Sequence, residues 1–200
     1  MNRNLKRKIN DFEGSKIYFF LRKFNTVISI ILVFLVLFHG LIGSIILFQI
    51  SYIDIKWISW LSFYLLLIHT VLGIIFTTQS IKLDKSKWYL KQNLGFWIRR
   101  ISGLLMLILV FFHYSAFGGV VNGQYMLFEF NTLSLTIQIL LIISLFVHIV
   151  SNIRPMFDSL GIIRNKSENK NIILILSIFI IIFTIASIFY FISWQIGWIG

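Results

Sequence analysis

The chain has 200 residues, 58% hydrophobic and only 12% charged, whereas ordinary soluble domains are about half apolar and roughly a quarter charged. It contains no cysteine. That excludes a disulfide scaffold, thiolate iron–sulfur and Cys-rich zinc sites, and haem attached through Cys-x-x-Cys-His. The net charge is +11, but the cations stand in clusters between long apolar runs, which argues against nucleic acid as a partner.

Residues 1–23 carry seven of the 18 Lys and Arg and read as a cytoplasmic basic segment. Ile17, Tyr18, Phe19 and Phe20 give it an apolar side suited to lying along lipid headgroups. Asp11 and Glu13 interrupt the basic leader, and the apolar run that follows is too long for a secretory signal.

Five stretches then lack Asp, Glu, Lys and Arg: 24–53, 57–81, 101–128, 130–153 and 171–200. Each is at least as long as the ~20 residues that cross a hydrocarbon core as a helix. Lipid offers no hydrogen-bond partner to the backbone, so helices are the expected form. A barrel strand would be about ten residues long with alternating polarity, and no such alternation occurs. The predicted fold is an all-α membrane protein: residues 24–200 form five transmembrane helices, a four-helix bundle with one peripheral helix.

Of the basic residues outside the N-terminal segment, six lie between spans two and three and four follow span four, while Lys56 alone falls on the other side. Because Lys and Arg favour cytoplasmic loops, this predicts the N-terminus inside, the C-terminus outside and a multi-pass protein of the cell membrane. The basic face also suits attraction to anionic membrane lipids.

All four histidines, His39, His69, His113 and His148, fall inside predicted spans, one in each of the first four. Ionisable groups within a bilayer are costly and mark function. At 1.5 Å per residue, His39 lies roughly 24 Å beyond Lys23 and His113 roughly 20 Å beyond Arg100, both in the outer half. His148 lies roughly 9 Å from the inner boundary at Arg154, and His69 roughly 14 Å deep if Thr77–Ser80 marks the interface. The expected pairs are His39 with His113 outside and His69 with His148 inside. Two stacked imidazole pairs in a bundle suit two bis-imidazole haems. Gly40, Gly43, Gly73 and Gly103 nearby would leave helix faces flat enough for a macrocycle, or serve ordinary helix packing. The alternatives for the histidines are interhelical hydrogen bonds, or a zinc or copper site, for which no Asp or Glu lies within a span.

Spans one–two and three–four look like an internal duplication: Arg22-Lys23 opens one half and Arg99-Arg100 the other. Span five has no counterpart and no histidine, and reads as a packing or lipid-facing helix with Trp194 and Trp198 at the outer interface.

Two motifs over roughly residues 16–195 give the chain a family resemblance. Arg100-Ile-Ser102-Gly103 is similar to the Arg-x-Ser/Thr-Gly that opens a ligand helix, followed by His113. His148-Ile-Val-Ser-Asn152-Ile-Arg154-Pro-Met-Phe-Asp158-Ser-Leu-Gly161 looks like a His-x-x-x-Gly-Ile-Arg-His…Asp…Gly segment. The chain thus resembles the five-helix di-haem cytochrome b membrane anchor of succinate dehydrogenases and quinol:fumarate reductases. It departs from that pattern at Asn152, at Pro155 and at Phe24-Asn25-Thr26. The resemblance implies two haems b ligated by His39, His113, His69 and His148, and electron transfer with quinone or quinol. It implies a flavoprotein and an iron–sulfur subunit on the cytoplasmic side that perform the dicarboxylate step. It places Arg100 and Ser102 near quinone, with interfacial anchoring or haem-propionate pairing as their other reading. Glu129 and Asp54 are the loop acids available for protons on the outer side, or ordinary solvated carboxylates. The alternatives are a cytochrome b subunit of a hydrogenase, a formate dehydrogenase or a stand-alone cytochrome b reductase, or a cofactor-free membrane assembly protein.

Overall fold

The computed structural model describes residues 3–50, 56–83, 89, 91–114, 116–121, 124–161 and 166–197. The elements are α1 (Arg3–Leu47), α2 (Lys56–Leu83), α3 (Leu94–Tyr114), β1 (Gly118–Val121), β2 (Gln124–Leu127), α4 (Thr132–Ser159) and α5 (Lys166–Gln195). All five helices include stretches long and apolar enough to cross a membrane, the make-up of a multi-pass membrane protein. Large apolar side chains such as Phe34, Ile101, Leu174 and Ile181 face outward, each more than half exposed. A soluble monomer does not carry such a belt. Several hydroxyls within the apolar helices bond their own backbone one turn back, as Ser44 does to the Gly40 carbonyl and Thr184 to the Ile180 carbonyl, which satisfies the donor inside the span, whereas the buried Ser62 hydroxyl has no hydrogen-bond partner among the described residues.

Several element boundaries differ from the charge-free runs. α1 continues unbroken through positions 23 and 24. Its 45 residues amount to roughly 67 Å, about twice a hydrocarbon core, so its early turns extend past the apolar run as helix. The run 101–128 is not one span. α3 starts seven residues before it, taking Arg99 and Arg100 into the helix, and ends at Tyr114. The rest holds the antiparallel hairpin β1–β2, with Gly118 opposite Leu127 and Val121 opposite Gln124. Freedom from charge does not distinguish helix from a glycine-bearing loop, and Asn122-Gly123 between two β-rich tetrapeptides is the local signal that would have.

α4 starts where Asn131 accepts a hydrogen bond from the Ser134 backbone N–H at 3.0 Å, an N-cap. It runs past 153 to Ser159 with Pro155 inside, where the missing N–H leaves the carbonyl of Ser151 without its helical donor. Gly161, at φ 75° just beyond the end, takes the left-handed position that terminates helices.

α1 packs on α2, and α3 packs on α4; α5 packs on both α1 and α4. The contacts of α1 with α4, and of α2 with α3, are slight. α5 is therefore not peripheral. Ala186, Ser187, Tyr190 and Ser193 are almost fully buried, and the Phe183 ring sits where a Cβ on Gly40 would be. Gly40 serves this helix crossing, the ordinary use of small residues in membranes. Composition could not reveal it, because α5 is apolar all round.

Candidate cofactor site

The helix packing leaves two antiparallel hairpins, α1/α2 and α3/α4, facing one another across a cavity of about 1990 Å³, roughly twice the upper range for a single small-molecule site. All four histidines line it. His39 on α1 meets His113 on α3, ring centroids 6.1 Å apart and planes at 78°. His69 on α2 meets His148 on α4, at 6.3 Å and 88°. Each couple bridges the two hairpins.

Every imidazole is held through Nδ1 by a side chain of the neighbouring helix. The Ser59 hydroxyl on α2 pairs with Nδ1 of His39 at 3.3 Å, and the Ser29 hydroxyl on α1 with Nδ1 of His69 at 3.2 Å. Across the cavity, Gln138 Oε1 on α4 pairs with Nδ1 of His113 at 2.7 Å, and the Ser102 hydroxyl on α3 with Nδ1 of His148 at 3.2 Å. Each helix thus supplies one imidazole and the polar partner of its neighbour's imidazole. The polar residue stands ten positions before the histidine on α1, α2 and α4, and eleven before it on α3. Three turns of helix separate the two levels by roughly 15 Å on all four helices.

The hydroxyl protons decide the tautomers. Ser29 donates to the Asn25 carbonyl at 2.8 Å and Ser102 to the Arg99 carbonyl at 3.4 Å. Their oxygens are left to accept, so Nδ1 of His69 and of His148 is the donor. Gln138 Oε1 can only accept, so Nδ1–H of His113 donates too. A neutral imidazole that donates from Nδ1 keeps its lone pair on Nε2, the state of a histidine metal ligand with an oriented outer partner.

Two imidazoles on opposite sides of one iron, with metal–nitrogen bonds of about 2 Å, place their ring centres about 6 Å apart. Edge-to-face ring contact covers the same range, so spacing alone does not discriminate. Nδ1 donation on His69, His113 and His148 leaves Nε2 of each of those three rings free to accept a metal ion. Among the described residues no group of three or more His, Cys, Asp or Glu converges, so a tetrahedral zinc site has no ligand set. Two axial pairs fit haem iron.

The glycines divide by role. A Cβ on Gly103 would stand 2.9 Å from Cε1 and 3.2 Å from Nδ1 of His148, so this position must lack a side chain for the ring to lie against α3. Gly43 has open space beside it, and a Cβ on Gly73 would stand 3.9 Å from Arg100 Nη1; both line the cavity.

Charge within the cavity is one-sided. Its charged lining residues are Arg22, Lys56, Arg99 and Arg100, all cations. Arg100 lies over the Phe96 ring at 5.2 Å, within repelling distance of Arg22 and Arg99, and its buried Nε has no hydrogen-bond partner. A guanidinium in that setting suits an anionic or carbonyl group. Ser102, expected beside it in the same role, pairs with His148 and donates to the Arg99 carbonyl, and its own carbonyl accepts from Ser144 at 3.4 Å.

At the far end an aromatic cluster closes over His113. Phe117 lies 5.4 Å from the imidazole and stacks on the fully buried Phe130 at 4.9 Å, with Tyr190 against both. The loop returning from α3 is thereby pinned onto α5. Glu129 is exposed beside it. Trp194 packs against Tyr190, while Asp54 and Trp198 lie outside the described residues. Sequence reasoning missed Ser29, Ser59 and Gln138. The signal available was a polar residue ten positions before a histidine within an apolar run. No protein family, curated protein or solved structure matches the chain.

Proposed function

We propose that the chain is a membrane-anchor cytochrome b subunit, in which His39 with His113 and His69 with His148 each hold one haem b through Nε2. The basic end of the bundle, with Arg22, Lys23, Arg99 and Arg100, lies on the cytoplasmic side of the cell membrane, so His69/His148 is the inner pair and His39/His113 the outer. A bound haem b supplies reversible one-electron chemistry at iron, and two levels roughly 15 Å apart along the helices suit electron passage across the membrane between quinone or quinol and a cytoplasmic partner. That partner is a flavoprotein with an iron–sulfur subunit that performs succinate oxidation or fumarate reduction. The chain's own residues fix both pairs of ligand rings, exclude water from the outer pair through Phe117 and Phe130, and offer Arg100 to a haem carboxylate or a quinone carbonyl at the inner pair.

The observation that carries this reading is the exchange of Nδ1 bonds among all four histidines. What supports the succinate/fumarate partner over another oxidoreductase is the Arg100-Ile-Ser102-Gly103 motif, whose serine and glycine both seat His148. A reduced-minus-oxidised spectrum of the purified chain, with haem quantified per polypeptide, tests it. Two b haems are expected, and the absence of a b-type α-band overturns it. Co-purification of a flavoprotein with the tagged chain tests the partner, and recovery with a hydrogenase or formate dehydrogenase instead reassigns the complex.

A further inference from the structure

Three of the four imidazoles are held by serine hydroxyls at 3.2–3.3 Å, while His113 is held by the amide carbonyl of Gln138 at 2.7 Å. The internal symmetry of the two hairpins makes this difference conspicuous, because Gln138 occupies the place that a serine fills on α1, α2 and α3. An amide oxygen is not a proton donor, so it cannot exchange roles with Nδ1, and its shorter separation makes the stronger hydrogen bond. Chemistry also fixes which end of the amide faces the ring. Were the NH₂ turned inward, it would donate to Nδ1, the ring proton would move to Nε2, and the ligating lone pair would be lost.

Resting on the haem reading above, we infer that Gln138 is a positioning residue that gives the outer pair its own redox character. By drawing on the Nδ1 proton it raises the electron density at Nε2 of His113. A more basic outer ligand favours ferric over ferrous iron and lowers the potential of that site. The effect is local to this level: Gln138 lies ten residues from His148 along α4, about 15 Å, and the inner pair has its own serine partners.

The test is redox titration of the purified two-haem chain, following each haem by its optical band and its low-spin ferric paramagnetic signal. In Gln138→Leu, which removes the acceptor, the outer midpoint potential rises; in Gln138→Glu, whose carboxylate accepts more strongly, it falls; in both the inner potential stays. Loss of the outer haem in Gln138→Leu with retention in Gln138→Glu supports the same role, since an acceptor is then what the site requires. Unchanged outer potential and ferric signal in both variants, with two haems bound, overturns the inference and leaves the haem reading standing. Absence of b haem from the unsubstituted chain overturns the haem reading itself.

Discussion

Ser29 on α1 holds Nδ1 of His69 on α2 at 3.2 Å, three helical turns away from the imidazole that α1 itself supplies, His39. Ser59 on α2 returns the same service to His39. Each ring is therefore oriented within its own hairpin, before the partner hairpin across the cavity contributes the opposing ligand. Because α1/α2 and α3/α4 touch each other only slightly, the two His couples are among the few groups that span the gap between them, with the Thr26–Ser159 hydroxyl pair at 2.7 Å, the Phe63–Phe111 ring contact and α5.

Histidine replacement distinguishes the two levels. His148→Ala removes one inner ligand and leaves His39 and His113 untouched, so haem content should fall from two per chain to one, with the outer haem's potential kept. His113→Ala should give the complementary result. Haem extraction and spectroscopy of the membranes checks both; loss of neither haem, or a remaining haem of the wrong level, would refute the pairing.

Gly103 and Gly43 offer a matched contrast. A methyl group at Gly103 meets the His148 ring at 2.9 Å, whereas at Gly43 it meets nothing within 4 Å. Gly103→Ala should displace the ring, costing ~1–3 kcal/mol by overpacking and depleting the inner haem. Gly43→Ala should leave haem content near that of the parent. Thermal denaturation in detergent, with haem absorbance as the second readout, compares them.

Ser102→Ala removes the hydrogen bond that orients His148. Losing one outer-shell partner of a metal ligand lowers affinity about 10–100-fold, so haem retention at the inner site during dialysis against apomyoglobin should shorten accordingly, with Ser102→Thr restoring it. Equal retention by the Ala variant and the parent would remove Ser102 from the ligand scaffold.

Arg100 stands with two other guanidiniums beside the His69/His148 pair, the inner one on the proposed orientation. Positive charge nearby favours the less positive, ferrous state. Arg100→Gln should therefore lower the inner haem's midpoint potential while leaving the outer one in place. Redox titration checks the sign; a rise, or no change with the haem retained, would show that the Arg100 charge does not act on that haem.

Five spans and the choice of helix over strand were legible in the sequence because a charge-free run longer than about 20 residues has one stable form in lipid. The levels of the four histidines were legible too, since helical rise converts position directly into depth. Three things required the tertiary structure. The end of α3 at Tyr114 depends on a loop being pinned by Phe117 and Phe130 against Tyr190, contacts across 73 and 60 residues of sequence. The seating of α5 against α1 and α4 depends on which of several equally apolar faces meets them, and hydropathy does not rank them. The partners Ser29, Ser59 and Gln138 depend on how neighbouring helices align, for a polar residue's position along its own helix does not say which neighbour's imidazole lies beside it.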